Sequence, residues 1–342
     1  MIDNQAMNIP KGTKVLVTGA TGFTGSLLTR KLVNDGAIVH AIARPSSSIE
    51  AFKDLNIRWF RGDVFDPEII KDAMRDVPYV FHLAAAYREA KAGEEMNRKV
   101  HVESTKLIAQ TAKSIPSFRR LVHVSTVGVH GHIDNPPADE NYPFNPGDIY
   151  QKTKAEAELW LRDYSKISGL PITVIRPAAI YGPGDKRLLK LFKMATWPIF
   201  PILDKGKCLY HLIHVEDLTN VIMLSATHPA ALNEVFICGN AEPVTLEHMG
   251  RTIAAELGRT LHVIRIPAWP FFLLGALCEV ICKPFGIEPP IYRRRVAFFT
   301  KDRAFNTRKL RERLGYSYKY SNEEGLIQTT RWYVANGWLR RG

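Results

Sequence analysis

The sequence predicts an α/β protein, a doubly wound parallel sheet carrying a smaller C-terminal lobe. Short β-branched runs alternate with helical patterns through the first half of the chain, and a glycine-rich turn joins the first strand to the first helix. The chain has 342 residues, more than one core usually holds, since single cores stop growing near ~250–300 residues. Lys14–Thr18 is a continuous apolar run followed by that turn and by helical spacing over residues 26–33. Further strands are expected at Ile38–Ala43 and at residues 58–60, 77–84, 121–125 and 172–176, with helices near 67–75, 98–113 and 152–168 between them. Strands separated by helices must pair in parallel, because a parallel return needs a crossover of about a dozen residues or more. Residues 214–226 read as a helix and 235–238 as a strand at the edge of the same sheet. The expected division is therefore a sheet domain over residues 11–184 with 211–240 returning to it. A smaller lobe over 185–210 and 241–342 lies above the carboxyl ends of the strands, where open α/β sheets bind ligands. Residues 1–10 are polar and read as a short disordered leader without a signal core, which points to the cytoplasm.

Composition narrows the class. Hydrophobic residues make up 46% and charged residues 23%, the balance of an ordinary globular protein. The net charge of +12 speaks to anionic partners in general, and no nucleic-acid motif accompanies it, so no nucleic-acid partner is expected. Four scattered cysteines, Cys208, Cys238, Cys278 and Cys282, form no Cys-x-x-Cys pair, so neither a disulfide framework nor a metal site is indicated. The most apolar stretch, residues 266–282, contains Pro267, Pro270 and Glu279 and falls short of the ~20 residues of a spanning helix.

Gly19, Thr21, Gly22, Phe23, Thr24 and Gly25 lie in the turn between the first strand and the first helix. Glycines there permit a tight turn and a close backbone approach to a pyrophosphate, and the helix N-terminus offers amides to its oxygens. The Gly-x-x-Gly-x-x-Gly spacing resembles that of the extended short-chain dehydrogenase/reductase superfamily, and so do four later segments. Gly62-Asp63-Val64 is similar to its adenine-side turn, Leu83-Ala84-Ala85 to its ribose-side loop, and Tyr150-x-x-x-Lys154 to its catalytic pair. Arg176-Pro177 with Tyr181-Gly182-Pro183-Gly184 resembles the segment bordering the nicotinamide. The resemblance spans roughly residues 11–240. It implies a Rossmann-type sheet, a nicotinamide dinucleotide held by these residues, and a homodimer. The second strand ends in Ala43 followed by Arg44 and Ser46–Ser48. With no carboxylate to repel a 2′-phosphate, NADP(H) is favoured over NAD(H), with Arg44 as its anchor; a solvent-facing Arg44 is the alternative.

Tyr150 and Lys154 stand four apart on one expected helix and share a face. The ammonium can then stabilise a phenolate whose ordinary pKa near ~10 would make it a poor base at neutral pH. The hydroxyl that polarises the same substrate oxygen is Thr126 or Ser125. Counting back from Gly131, which resembles the glycine of the family's Ser/Thr-x-x-x-Tyr-Gly stretch, favours Thr126, with Ser125 bonding the loop. Where the family has an asparagine ahead of its fourth-helix Val-x-Gly-Thr, this chain has His101. Either His101 or Asn97 takes over the bond to the active-site backbone, or His101 is a packed core residue.

For the substrate, Val127-Gly128 stands where dehydratases resemble one another in an Asp-Glu pair. Ala179 and Tyr210 stand where sugar-nucleotide enzymes have an asparagine and an arginine that hold the diphosphate. Residues 267–285 are rich in apolar and aromatic side chains, ahead of Arg293–Arg295. They read as a core helix, as an apolar substrate wall over the nicotinamide, or as a membrane-surface patch giving the C-terminal lobe a peripheral membrane contact. The C-terminal pattern of Asp302, Asn306, Lys309, Leu314-Gly315-Tyr316 and Trp332-Tyr333 resembles the branch containing 3β-hydroxysteroid dehydrogenases, sterol 4-carboxylate 3-dehydrogenases and dihydroflavonol reductases. It implies a secondary alcohol or ketone on a hydrophobic small molecule, with decarboxylation open to a β-keto acid product. The alternatives are a nucleotide-sugar epimerase or reductase and a non-catalytic dinucleotide-binding protein.

Overall fold

The computed structural model describes residues 9–86, 93–282, 296, 300 and 302–341; Phe285, Arg293–Arg295 and Lys301 lie outside them. From the N-terminus, β1 (Lys14–Thr18) leads into α1 (Phe23–Asn34), β2 (Ile38–Ala43) and β3 (Ile57–Arg61), then α2 (Pro67–Ala73) and β4 (Tyr79–His82). Asp66 starts α2 by accepting from the backbone N–H groups of Glu68 and Ile69, with Pro67 in the first turn where its missing donor costs nothing. The helix expected over 98–113 is split into α3 (Glu94–Arg98), one wider i→i+5 turn (Lys99–Glu103) and α4 (Ser104–Lys113). The chain continues through β5 (Arg120–Val124), α5 (Ile149–Ser168) and β6 (Ile172–Pro177).

After β6 come β7 (Ala179–Tyr181), α6 (Leu189–Met194), β8 (Phe200–Leu203), β9 (Leu209–Tyr210) and β10 (Leu212–His214). Then α7 (Val215–Thr227) and β11 (Glu234–Cys238) return to the main sheet. The remainder holds β12 (Val244–Thr245), α8 (Leu246–Glu256), β13 (Val263–Ile266), α9 (Trp269–Cys282), α10 (Arg308–Leu314) and α11 (Asn322–Ala335).

Seven strands form the sheet in the order β11-β6-β5-β4-β1-β2-β3, every pair parallel. Both faces are covered, which is why β1 reads as a continuous apolar run rather than an alternating one. Val15 and Val17 pack with Leu28, Leu32, Leu218 and Ile222 on one side, while Leu16 packs with Ile70, Ile108 and Leu161 on the other. The strand order reverses between β4 and β2, on either side of β1, and a crevice opens at that switch point beyond the carboxyl ends.

A third cluster, including Phe192, Phe200, Ile253, Leu326 and Tyr333, forms the core of the smaller lobe. Leu310 and Leu314 of α10 join the main-sheet core instead, beside Tyr316 and Tyr318. The buried carboxylate of Asp217 on α7 fixes this segment, accepting from the Tyr316 hydroxyl at 2.6 Å and from the Lys319 N–H at 2.7 Å. Among the described residues no helix is long and apolar enough to cross a membrane.

The expectation of an apolar wall over the nicotinamide fails for the described part of that stretch. None of residues 267–282 lines the cleft. Asp204, just past β8, accepts from the Ala268 N–H at 2.7 Å and starts α9 on the outside of the lobe. Trp269, Leu273, Leu277 and Val280 are 56–71% exposed there, and Gly275 is the helix's one buried residue. Hydropathy identifies an apolar stretch but carries no information on which side of the lobe it lies.

Candidate active site

A cavity of about 1790 Å³ runs across the carboxyl ends of the sheet. Its cofactor end is built by the turn after β1. Gly19 has φ +70, and a Cβ there would lie 2.9 Å from the Ala84 backbone N; a Cβ on Gly25 would lie 2.1 Å from the Gly19 carbonyl oxygen. These two positions let α1 start directly against the strand ends. Gly22 caps α1 without a side-chain hydrogen bond, so the first-turn amides carry the positive end of the helix dipole into the cavity. Thr21, Phe23 and Thr24 line the cavity beside them. This cradle fits a dinucleotide pyrophosphate.

The neighbouring walls come from other strand ends. Asp63 and Val64 follow β3, and Leu83, Ala84 and Ala85 follow β4; all line the cavity, as does Pro177 at the end of β6. The Leu83–Ala84 loop is held by Thr18, whose hydroxyl oxygen accepts from both backbone N–H groups at 3.2 Å. The same oxygen lies 2.8 Å from His82 Nδ1. The second His82 nitrogen lies 3.1 Å from the Thr105 hydroxyl, tying the cradle to α4. Arg44 is exposed on the cavity wall after β2, with Ser47 and Ser48 beside it. Arg61 on β3 pins that loop, donating to the carbonyls of Pro45 at 2.7 Å and Ser47 at 3.0 Å.

The end that holds the expected catalytic pair is set by α5. Asp148 caps the helix by accepting from the Gln151 N–H at 2.7 Å, which starts α5 three residues before residue 152 and places Tyr150 in its first turn. Tyr150 and Lys154, one turn apart, both line the cavity. The Lys154 side chain is buried and donates to the Val124 carbonyl at 2.8 Å. Burial lowers its pKa to about 8, partly opposed by the Glu158 carboxylate. It therefore stays largely cationic at neutral pH, with donors to spare for a phenolate oxygen and a ribose hydroxyl.

Ser125 and Thr126 both reach the cavity, but the loop bond falls to the other residue from the one expected. Thr126 accepts from the Gly128 N–H at 3.0 Å, which leaves its own proton available for a substrate oxygen. Ser125 is buried and its hydroxyl has no partner among the described residues.

His101 lies in the i→i+5 turn and is fully buried. Its Nε2 accepts from the Ala86 N–H at 3.0 Å, so the proton sits on Nδ1 and is donated to the Thr153 hydroxyl oxygen at 2.8 Å. It thus makes the bond to active-site backbone expected of His101 or Asn97, and burial and then Lys154 push its pKa far down. His82 and His123 are held neutral in the same way.

Arg176 does not border the cleft. It is fully buried, with its guanidinium on Glu158 at 2.5–3.1 Å and on the Glu140 carbonyl at 2.8 Å. This pair joins β6 to α5 and keeps the Tyr150–Lys154 helix in place. Ala178 and Ala179 line the cleft instead.

Sequence reasoning missed Arg187, Asn145, Arg303 and Trp332, all of which line the cavity. Arg303 is the most consequential, because its backbone pairs with Tyr210. It brings a guanidinium beside the position where the sequence lacks one. Only tertiary structure joins the two segments.

With this geometry established, the comparisons with known proteins define the class. The model of the NAD dependent epimerase/dehydratase family matches residues 15–239. The chain belongs to that family, within the extended short-chain dehydrogenases, and is an enzyme working with a nicotinamide dinucleotide. A 3beta-hydroxysteroid-dehydrogenase/decarboxylase (isoform 1) of Arabidopsis thaliana is 26% identical, covering 92% of this chain and 78% of its own length. The UDP-glucose 4-epimerase of Vibrio cholerae is 25% identical over 94% of this chain and 95% of the epimerase. The sterol demethylase protein B of Methylococcus capsulatus is 35% identical over 50% of this chain and 53% of its own. Among solved structures, gox2253 has a TM-score of 0.81 at 24% identity, covering 96% of this chain and all of that one.

Proposed function

We propose that the protein interconverts a secondary alcohol and a ketone on a hydrophobic, sterol-like skeleton, with NADP(H) preferred over NAD(H). The bound nicotinamide supplies or accepts the hydride. In reduction, Tyr150 gives its phenolic proton to the carbonyl oxygen while Thr126 donates a second hydrogen bond to it. In oxidation, Tyr150 takes the hydroxyl proton, and Lys154 stabilises the phenolate in both directions. Where the oxidised carbon lies β to a carboxylate, the new ketone accepts the electron pair left as CO2 departs, so decarboxylation needs no further side chain.

One observation carries the reading. Val127, Gly128, Ala178 and Ala179 line the cleft together with Thr126, and their side chains offer neither the acid–base pair of water loss nor a carboxamide for a diphosphate. The two sterol-related relatives lend support. Each large apolar side chain that a polycyclic ligand covers contributes about 1.5–3 kcal/mol.

A nucleotide sugar is the second reading, and Arg303 beside Tyr210 is the observation that favours it. The test follows nicotinamide fluorescence with hydroxysteroids and ketosteroids on one side and UDP- and dTDP-sugars on the other. Turnover of the lipophilic alcohols without sugar-nucleotide binding is expected. Micromolar competitive binding of a nucleotide sugar with no steroid turnover would replace the first reading by the second.

The outward stripe of Trp269, Leu273, Leu277 and Val280 supports a peripheral membrane contact, with the exposed Lys205 and Lys207 following the Asp204 cap. Co-sedimentation with anionic phosphatidylglycerol vesicles, lost in a Leu273→Glu/Leu277→Glu variant, is expected. Equal recovery of both proteins in the supernatant would remove this contact.

A further inference from the structure

The loop after β7 sends one cation across the cleft to the glycine turn. Asp185, 1% exposed, accepts from the backbone N–H groups of Arg187 and Leu188 and from Arg187 Nε at 2.7 Å. Arg187 Nη2 donates to the Ile180 carbonyl at 2.9 Å. Fixed at these points, the guanidinium stands over the ring of Phe23, its Cζ 5.2 Å from the centroid. Phe23 is the first residue of α1, and Arg187 lines the same cavity as Gly22, Phe23 and Thr24. The two Nη1 protons have no partner among the described residues.

We propose that Arg187 is a diphosphate-binding residue that closes the pyrophosphate cradle from the side opposite the α1 amides. The inference rests on the dinucleotide reading of this cavity and adds a contact that the glycine turn does not supply. The helix N-terminus offers backbone donors and a partial positive charge from below. The guanidinium offers its two Nη1 donors from above, as charge-assisted bonds to phosphate oxygens. Asp185 offsets much of the net charge, so the contribution is directional hydrogen bonding. Preorganisation by Asp185, Ile180 and Phe23 means that little side-chain freedom is lost when the ligand arrives.

The experiment measures binding of NAD+, ADP, AMP and adenosine to the full chain by isothermal titration calorimetry, comparing wild type with Arg187→Gln. NAD+ and ADP are expected to weaken by about ten-fold or more, the usual span for a lost bond to a charged group, and AMP and adenosine by less than two-fold. Arg187→Lys keeps the charge but loses the fork, and is expected to restore less than half of the lost free energy. Circular dichroism and thermal melting confirm the fold of each variant. If Arg187→Gln changes ADP and AMP equally, or changes neither, Arg187 does not bind the diphosphate. If wild type binds neither these four nor NADP+, the dinucleotide reading itself fails, which is a different result.

Discussion

The imidazole of His101 stands edge-on to the phenol ring of Tyr150, the centroids 5.1 Å apart and the planes at 87°. Both ring nitrogens are occupied, one by the Ala86 amide and one by the Thr153 hydroxyl, so the ring cannot turn away and acts as a fixed wall for the tyrosine. His101→Leu removes that wall and leaves the half-buried Ala86 N–H without its acceptor, at a cost of about 1–3 kcal/mol, while the Thr153 hydroxyl keeps its bond to the Ile149 carbonyl. Its expected signature is a lower melting temperature and a fall in kcat exceeding any rise in KM. His101→Asn recovers one of the bonds and should recover part of kcat. Unchanged kcat in His101→Leu would make His101 a packing residue only.

Tyr150→Phe should keep dinucleotide affinity and the fold while lowering turnover by about 10²–10⁴, the span of one positioned acid or base. Pre-steady-state measurement of hydride transfer is the check. A variant with near-native rates would take Tyr150 out of the chemistry.

Arg44→Ala should raise the Kd for NADPH by about ten-fold or more and leave NADH nearly unchanged, because only the former loses a charge-assisted bond to a 2′-phosphate. Equal effects on both, or a wild-type preference for NADH, would overturn the assignment of the β2 end.

Gly25→Ala places a methyl group 2.1 Å from the Gly19 carbonyl oxygen, inside van der Waals contact with backbone that cannot move aside without opening the turn. Overpacking of this kind typically costs about 1–3 kcal/mol. A lower melting temperature and loss of dinucleotide binding are expected together. Retention of both would mean that the turn has slack which the close approach of Gly25 to Gly19 argues against.

Acid should destabilise the fold in a defined window. Burial pushes the pKa values of His82, His101, His123, His130, His211 and His214 below the ordinary 6.5, to about 3 for His82 and about 4 for His214. Below pH 6.5 the unfolded chain binds protons that the folded chain refuses, so stability is full above 6.5 and falls as the pH drops, by about 1 kcal/mol per pH unit for each such group. His123→Leu strands no partner, since neither ring nitrogen has one among the described residues. Denaturant titrations between pH 7 and 5 should show a slope about one proton shallower in this variant. An unchanged slope would mean that His123 carries its proton in the folded protein.

What could be read from the sequence was whatever is encoded within one turn or one crossover. The glycine turn, the β-branched runs and the Tyr150–Lys154 spacing each depend on residues within four or so positions, and the parallel sheet follows from the crossover lengths between runs. Arg61, Arg187 and Arg303 were invisible because each acts on a segment remote in sequence: the Pro45–Ser47 carbonyls, Phe23 and Tyr210. Arg176 was misread because a motif next to the cleft can point its side chain away from it, here onto Glu158. The Ser125 and Thr126 hydroxyls differ only in where the following turn puts the Gly128 amide. The stretch that became α9 was legible as apolar, with a core helix, a substrate wall and a membrane-surface patch all open, but its position on the lobe involves the Asp204 cap some sixty residues earlier.

The smaller lobe is not one stretch of chain. Its core takes Phe192 and Phe200 from between β7 and β9, Ile253 from α8, and Leu326 and Tyr333 from α11, with β11 and α10 crossing back to the main sheet in between. A graft of this lobe onto a related sheet would need cuts on both sides of each excursion, and splitting the gene at a loop between α6 and α11 would divide the lobe core between the two fragments. Altered substrate preference in this scaffold is therefore reached by point substitutions along the cleft rather than by exchanging cassettes, and circular permutation would have to open the chain at a loop outside these crossings.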